Sequence, residues 1–387
     1  MKALSNNMLS SGRSGIRKMF NMTYGMDDLV SFAVGEPDFS APARVVKAAN
    51  DCNDRGFTKY TPNAGLIELR NAIANSLTEF DLHFNPENEI IVTMGGMESL
   101  FMIMMVLLDA GDEVIMSDPY WSNYSQQVKL VGGTPVFVPV LESNGFALNP
   151  ADVRKAITPK TKLIMVNSPS NPTGGVVGLE ALKEIAQIAI ENDVYVLTDE
   201  VYKRFVYDGQ KHYSIAALPG MKERTLLVDS FSKTFAMTGW RVGYTAGPKH
   251  IIEMMTVAHE GVSSCPNSSA QLGAIAALDV PAGEFEERLA LFDSRRKLIV
   301  DGFNSIDKLS CITPAGAFYA FPNITKTGMT SEEFAVDLLN KGRVVLIPGS
   351  AFGQGGEGFV RLSYATSEEN IKRGLERIAK YVKENVK

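Results

Sequence analysis

The 387-residue chain has only three cysteines, Cys52, Cys265 and Cys311, and four histidines. The cysteines are odd in number and far apart, and no histidine shares a ligand spacing with them, so neither a disulfide framework nor a metal site is expected. A reducing compartment fits this usage. Long apolar runs are also lacking: Leu100 to Leu108 falls far short of the roughly 20 residues that cross a bilayer and reads as a buried helix. The N-terminal MKALSNNMLSSGRSG has no signal-peptide core, and a cytoplasmic location is expected. Positive charge is neither in excess nor clustered: the formal net charge is -6, which leaves no basic stripe for nucleic acid. Internal repeats, low-complexity tracts and long Gly/Ser linkers are absent as well.

What remains is an ordinary globular composition, 45% hydrophobic and 21% charged, which excludes a disordered or fibrous chain. The length suits one large domain and one smaller. Short β-branched runs (EIIVT, EVIMS, TPVFVPV, KLIMVN, VYVLTDE) alternate with helical patterns, including helices from about Glu98 and about Leu179, the rhythm of βαβ units. Several runs are apolar throughout, as when helices cover both faces of a mostly parallel sheet. The fold class is therefore α/β, with a large domain over residues 45–280. After Pro281 a long charged helix, short strands and a Lys-rich terminal helix mark a smaller α+β domain, residues 281–387 with the N-terminal segment 1–44. The two should share a cleft.

The segment SFSKTFAMTGWR, residues 230–241, sets Lys233 between Ser230 and Ser232, with Arg241 eight positions on. Serine hydroxyls and a guanidinium suit a phosphate. Burial and neighbouring positive charge favour a neutral lysine, which is a Schiff-base nucleophile. The plainer reading is a solvated loop lysine, against which stand the apolar neighbours Phe231, Phe235, Met237 and Trp240. TDEVY places Asp199 and Tyr202 at the carboxyl edge of the sheet, where open α/β folds hold ligands. An acid there can keep a pyridine ring protonated; alternatively, Asp199 caps a following helix. SPSNPTGG holds Asn171 in a proline-bracketed turn that aims its amide. VTMGGMES offers backbone N–H groups at Gly95, Gly96 and Met97 to a phosphate at a helix N-terminus. Trp121 in SDPYWSNY can stack on a flat ring or serve as core. Arg361 in GEGFVRLSYA has the planar fork to grip a carboxylate, unless it is a surface arginine.

Taken in order, SNPTG, DEVY, SFSK with TGWR and the VRLSYA arginine resemble the class I aminotransferases of the fold-type I pyridoxal-phosphate enzymes. VGEPDF, KYTPNAGLIELR and IPGSAFG extend the resemblance over nearly the whole chain. It implies pyridoxal 5'-phosphate as cofactor and Lys233 as its Schiff-base lysine. It further implies Asp199 on the pyridine nitrogen, Asn171 and Tyr202 on the phenolic oxygen, and Ser230, Ser232 and Arg241 on the phosphate. Trp121 would stack on the ring, Gly35 would line the substrate pocket and Arg361 would bind the α-carboxylate. Tyr60 would reach the phosphate of a neighbouring subunit, implying a homodimer with shared sites. The expected reaction moves an amino group from an L-amino acid, aromatic or of broad range, to 2-oxoglutarate by a ping-pong route.

Met97 departs from the pattern: bacterial aspartate aminotransferases of the subgroup resemble one another in a lysine there for the distal carboxylate, which Met cannot bind. The SGIRKM and GMTSEEFAVDLL segments are instead similar to aromatic and N-acetyl-diaminopimelate aminotransferases. Ile16, Arg17 and Met97 are the candidates for the donor pocket. A C-S β-lyase on the same fold would need the same cofactor groups. A DNA-binding regulator with an aminotransferase-like sensor domain would need an added N-terminal module, for which the first forty residues leave no space.

Overall fold

The computed structural model describes residues 2–11 and 15–386; the side chains of Ile16 and Ala282 lie outside that description. Twelve strands form among the described residues: β1 (Val30–Ser31), β2 (Ile90–Thr93), β3 (Glu113–Asp118), β4 (Thr134–Pro139), β5 (Thr161–Asn167), β6 (Tyr195–Asp199), β7 (Thr225–Ser230), β8 (Gly243–Ala246), β9 (Tyr319–Ala320), β10 (Val344–Val345), β11 (Ile347–Pro348) and β12 (Val360–Ser363). Seven make one sheet in the order β2-β8-β7-β6-β5-β3-β4. Within it, β4, β3, β5, β6 and β7 are mutually parallel, and β8 runs against β2 and β7.

The central strands are largely apolar because both faces are covered, whereas the edge strand β4 is partly exposed. On β5, Ile164 and Val166 pack with Leu182, Ile185 and Ile188 of the helix Leu179–Glu191. Leu163 and Met165, pointing the other way, pack with Leu100 and Ile103 of the helix Gly96–Leu107 and with Ile252 of the helix Lys249–Val262. The period-two alternation thus survives as a choice between two buried layers. Burying each such side chain contributes about 1.5–3 kcal/mol. From β3 the chain passes to β4 on one side and β5 on the other, a topological switch that opens a crevice at the carboxyl ends of these strands.

A second layer is antiparallel, β11-β12-β9. It carries an aromatic cluster in which Phe292 of the helix Ala282–Asn304 stacks on Phe318 at 5.5 Å. The helix Glu368–Asn385 closes it with Ile371 and Ile378. β1 pairs parallel with β10, and Ser363 N–H donates to Phe32 O at 2.8 Å. This pairing brings the early residues Ala33 to Gly35 beside Arg361. Among the described residues no helix is long and apolar enough to cross a membrane.

Candidate active site

A cavity of about 310 Å³ lies at the carboxyl edge of the large sheet, at the lower end of the range for ligand pockets. Segments following β2, β3, β5 and β7 supply Gly96, Trp121, Asn171 and Lys233 to it, the end of β6 supplies Asp199, and the antiparallel layer supplies Tyr319 and Arg361.

Lys233 sits in the short helix Phe231–Thr234 that follows β7, a turn capped by Ser230, whose Oγ accepts Ser232 N–H at 3.3 Å. Its Nζ donates to Gly35 O at 2.6 Å. Burial is the main force lowering its pKa to about 8; Glu36 opposes this, and the Arg361 and Arg241 charges add to it. The amine is therefore far easier to deprotonate than a surface lysine.

Asp199 ends β6 and is 4% exposed. Tyr124 Oη donates to its Oδ2 at 2.6 Å and Val201 N–H to its Oδ1 at 3.3 Å. Burial raises its pKa to about 6, with the Tyr124 hydrogen bond pulling the other way. No helix begins after β6, so the helix-capping alternative is not what this residue does. A carboxyl so desolvated is suited to a cationic partner within the cavity.

At the opposite end, Arg241 donates to Thr238 O at 2.9 Å and Met94 O at 3.4 Å. The helix Gly96–Leu107 starts earlier than the Glu98 expected, with Gly95 at its N-cap in a positive-φ conformation (φ 83°). Glu98 instead reaches back to accept Met94 N–H at 2.6 Å. One expectation is corrected here. Gly95 N–H is not available to an anion, because it donates to Thr93 O at 2.8 Å. What Gly95 provides is space, since a Cβ would lie 2.7 Å from Arg241 Nη2. Gly96 and Met97 do line the cavity, with Ser230 and Ser232.

Arg361 is 2% exposed on β12. Its Nη1 donates to Asn171 Oδ1 at 3.3 Å and its Nη2 to Ala33 O. The guanidinium lies 4.9 Å from the Tyr319 ring centre and 5.0 Å from that of Phe352. Among the described residues its Nε has no hydrogen-bond partner, so the surface-arginine reading fails and a buried donor awaits an acceptor. Tyr202 Oη pairs with Tyr319 Oη at 2.7 Å. Trp121 lines the cavity and meets Tyr124 edge-on at 5.3 Å.

Two other expected residues stand apart. Tyr60 is 88% exposed and does not line this cavity. Arg17 is exposed and outside the lining, whereas Phe20, on the same helix Gly15–Met22, is inside it; Ile16 cannot be placed, its side chain being outside the described part. Met97 lines the cavity with Gln127 Nε2 at 3.2 Å from its sulfur. Sequence reasoning missed Tyr124, Tyr319, Phe20 and Val34. Tyr124 had a signal, one helical turn beyond Trp121, while Tyr319 in GAFYAF had only the mark of an aromatic core.

The family model for aminotransferase class I and II matches residues 27–378. The chain belongs to this family. An aspartate aminotransferase of Pyrococcus abyssi is 43% identical over 99% of both chains. Aromatic-amino-acid aminotransferase 2 of Thermococcus litoralis is 41% identical, again over 99% of each. The solved aspartate aminotransferase from Rhizobium meliloti superposes with a TM-score of 0.94 at 38% identity, covering 98% of both. An aminotransferase must bind an amino acid and a 2-oxo acid, and the Arg361 fork faces the cavity in which Lys233 lies.

Proposed function

We propose that this aminotransferase uses pyridoxal 5'-phosphate, held in the described cavity, to move an amino group from an L-amino acid of aromatic or broad type to 2-oxoglutarate. The observation that carries the reading is Lys233, a half-buried residue whose amine has its pKa lowered to about 8, set in one cavity with a buried carboxyl and a buried guanidinium. The donor set fits the cofactor. Arg241, Ser230, Ser232 and the N-terminus of the helix Gly96–Leu107 suit its phosphate. Asp199 suits the ring nitrogen, and Trp121 the ring face. Asn171 Oδ1 accepts from Arg361 Nη1, which leaves its amide N–H groups, with the Tyr202 hydroxyl, for the phenolic oxygen.

When bound, pyridoxal phosphate supplies an aldehyde that condenses with amines and a protonated ring that takes up the electron pair left at Cα. Arg361 would orient the substrate by its α-carboxylate, and Gly35 lines the same cavity. Lys233, as a neutral amine, would take the proton from Cα and return it as a general acid–base. Asp199, as a carboxylate, would keep the ring nitrogen protonated. One arginine fork holds one carboxylate at a time, so donor and acceptor must take turns, which is the basis for a ping-pong order.

Phe20, Val34, Met97 and Leu100 at the cavity favour apolar donor side chains. We further infer a homodimer with shared sites. The loop carrying exposed Tyr60 is pinned by Gln271 Nε2 to Thr61 Oγ1 at 3.0 Å and by His259 Nδ1 to Asn63 O at 2.8 Å. A rigid loop that presents a bare aromatic is suited to a neighbour's site. The large sheet and the antiparallel layer support a division into residues 45–280 and residues 1–44 with 281–387. Initial rates at varied donor and 2-oxoglutarate test the reading. Parallel double-reciprocal lines support it, and intersecting lines, or release of many keto-acid molecules per active site without any acceptor, refute it.

A further inference from the structure

Among the described residues the Tyr319 hydroxyl is the only hydrogen-bond partner of Tyr202 Oη, at 2.7 Å, and both groups are buried. We propose that Tyr319 is a positioning residue for Tyr202, donating to its hydroxyl and so directing the Tyr202 proton toward the phenolic oxygen of the cofactor. The inference rests on the pyridoxal-phosphate reading of the cavity.

The argument is a count of protons. Each phenol has one proton to give and can accept. An ionised ring oxygen only accepts, so Tyr202 must spend its proton there, and the bond between the two tyrosines must then be donated by Tyr319. The surroundings favour that direction. The Arg361 guanidinium lies 4.9 Å from the Tyr319 ring centre, and a cation on the ring face draws charge from the phenol and makes it the better donor. The ring is also fixed in place. It meets the Tyr202 ring edge-on, with centres 5.5 Å apart, and β9 pairs with β12 so that Tyr319 lies opposite Ser363, two residues from Arg361. At Gly35 a Cβ would fall 2.1 Å from Tyr319 Oη, so the hydroxyl occupies space that only glycine leaves open.

The test is a pH titration of the visible absorption band of the protein loaded with pyridoxal phosphate. A hydrogen bond to the ring oxygen withdraws charge that would otherwise hold the nearby imine proton, so weakening that bond raises the midpoint. Tyr319→Phe should raise it by about 0.5 to 1 pH unit, the scale of one neutral hydrogen bond. Tyr202→Phe should raise it further, and the double variant should match Tyr202→Phe alone, because Tyr319 acts only through Tyr202. KM for the donor should hold while kcat falls, since the Phe ring still packs beneath Arg361. If Tyr319→Phe does not fold, Gly35→Ala displaces the same hydroxyl and should move the midpoint in the same direction. An unchanged midpoint in Tyr319→Phe, or additive shifts in the double variant, overturns the inference and leaves the cofactor reading standing. Absence of the band in the unaltered protein overturns the cofactor reading itself.

Discussion

Replacing Asp199 by Asn should stabilise the cofactor-free chain at pH 8 while weakening its hold on pyridoxal phosphate. The folded carboxyl takes its proton near a pKa of about 6, against about 3.9 when unfolded. Well below pH 4 it is protonated in both states and contributes no difference. As pH rises through the unfolded value, only the unfolded chain gains by ionising, so folding stability falls. Above pH 6 the penalty is complete, at about 3 kcal/mol from about 1.4 kcal/mol per unit, and roughly half of it develops between pH 5 and pH 8. Asn keeps an acceptor for Tyr124 Oη but loses a charged one, a pH-independent cost of about 1 kcal/mol. The net gain is therefore about 2 kcal/mol at pH 8, shrinking below about 1 kcal/mol at pH 5. Urea unfolding of both cofactor-free proteins at the two pH values measures it. Stabilities that run parallel with pH would refute the reasoning. With pyridoxal phosphate present the order should reverse, because the protonated ring nitrogen pairs with the ionised carboxyl.

Two further substitutions probe the substrate end. Arg361→Lys keeps the charge but loses the planar fork, and KM for the amino donor should rise about 10- to 100-fold, the cost of one charge-assisted hydrogen bond; an unchanged KM in steady-state kinetics would remove Arg361 from carboxylate binding. Met97→Lys places a cation where Gln127 now meets a thioether at 3.2 Å. The ratio of kcat/KM for aspartate over phenylalanine should rise at least tenfold, an ion pair's effect of about 1.4 kcal/mol or more; a ratio that does not move places the side-chain pocket elsewhere.

The sheet was legible because its information is local. KLIMVN and VYVLTDE are continuous apolar runs that become β5 and β6, and a run with no polar face leaves only a strand covered on both sides. The helix after β2 begins two residues before Glu98, because the positive φ of Gly95 makes the start and Glu98 is a first-turn residue. Lys233, Asp199, Asn171 and Arg361 could be singled out because each stands in a short motif at a strand end, and the fold brings them to one cavity. Tyr319 could not, since its contact with Tyr202 spans 117 positions and its two-residue strand has no periodicity to read. The availability of Gly95 N–H was misjudged for a similar reason, because its bond to Thr93 O depends on how the turn closes rather than on which residues compose it.

The most direct test of the account is the absorbance spectrum of the purified protein with pyridoxal phosphate, compared with that of Lys233→Ala. The account predicts a visible band in the unaltered protein that an amino donor abolishes and 2-oxoglutarate restores, and no such band in the variant. A protein that shows no band, or a band that survives Lys233→Ala, would contradict the claim that this cavity is built around Lys233.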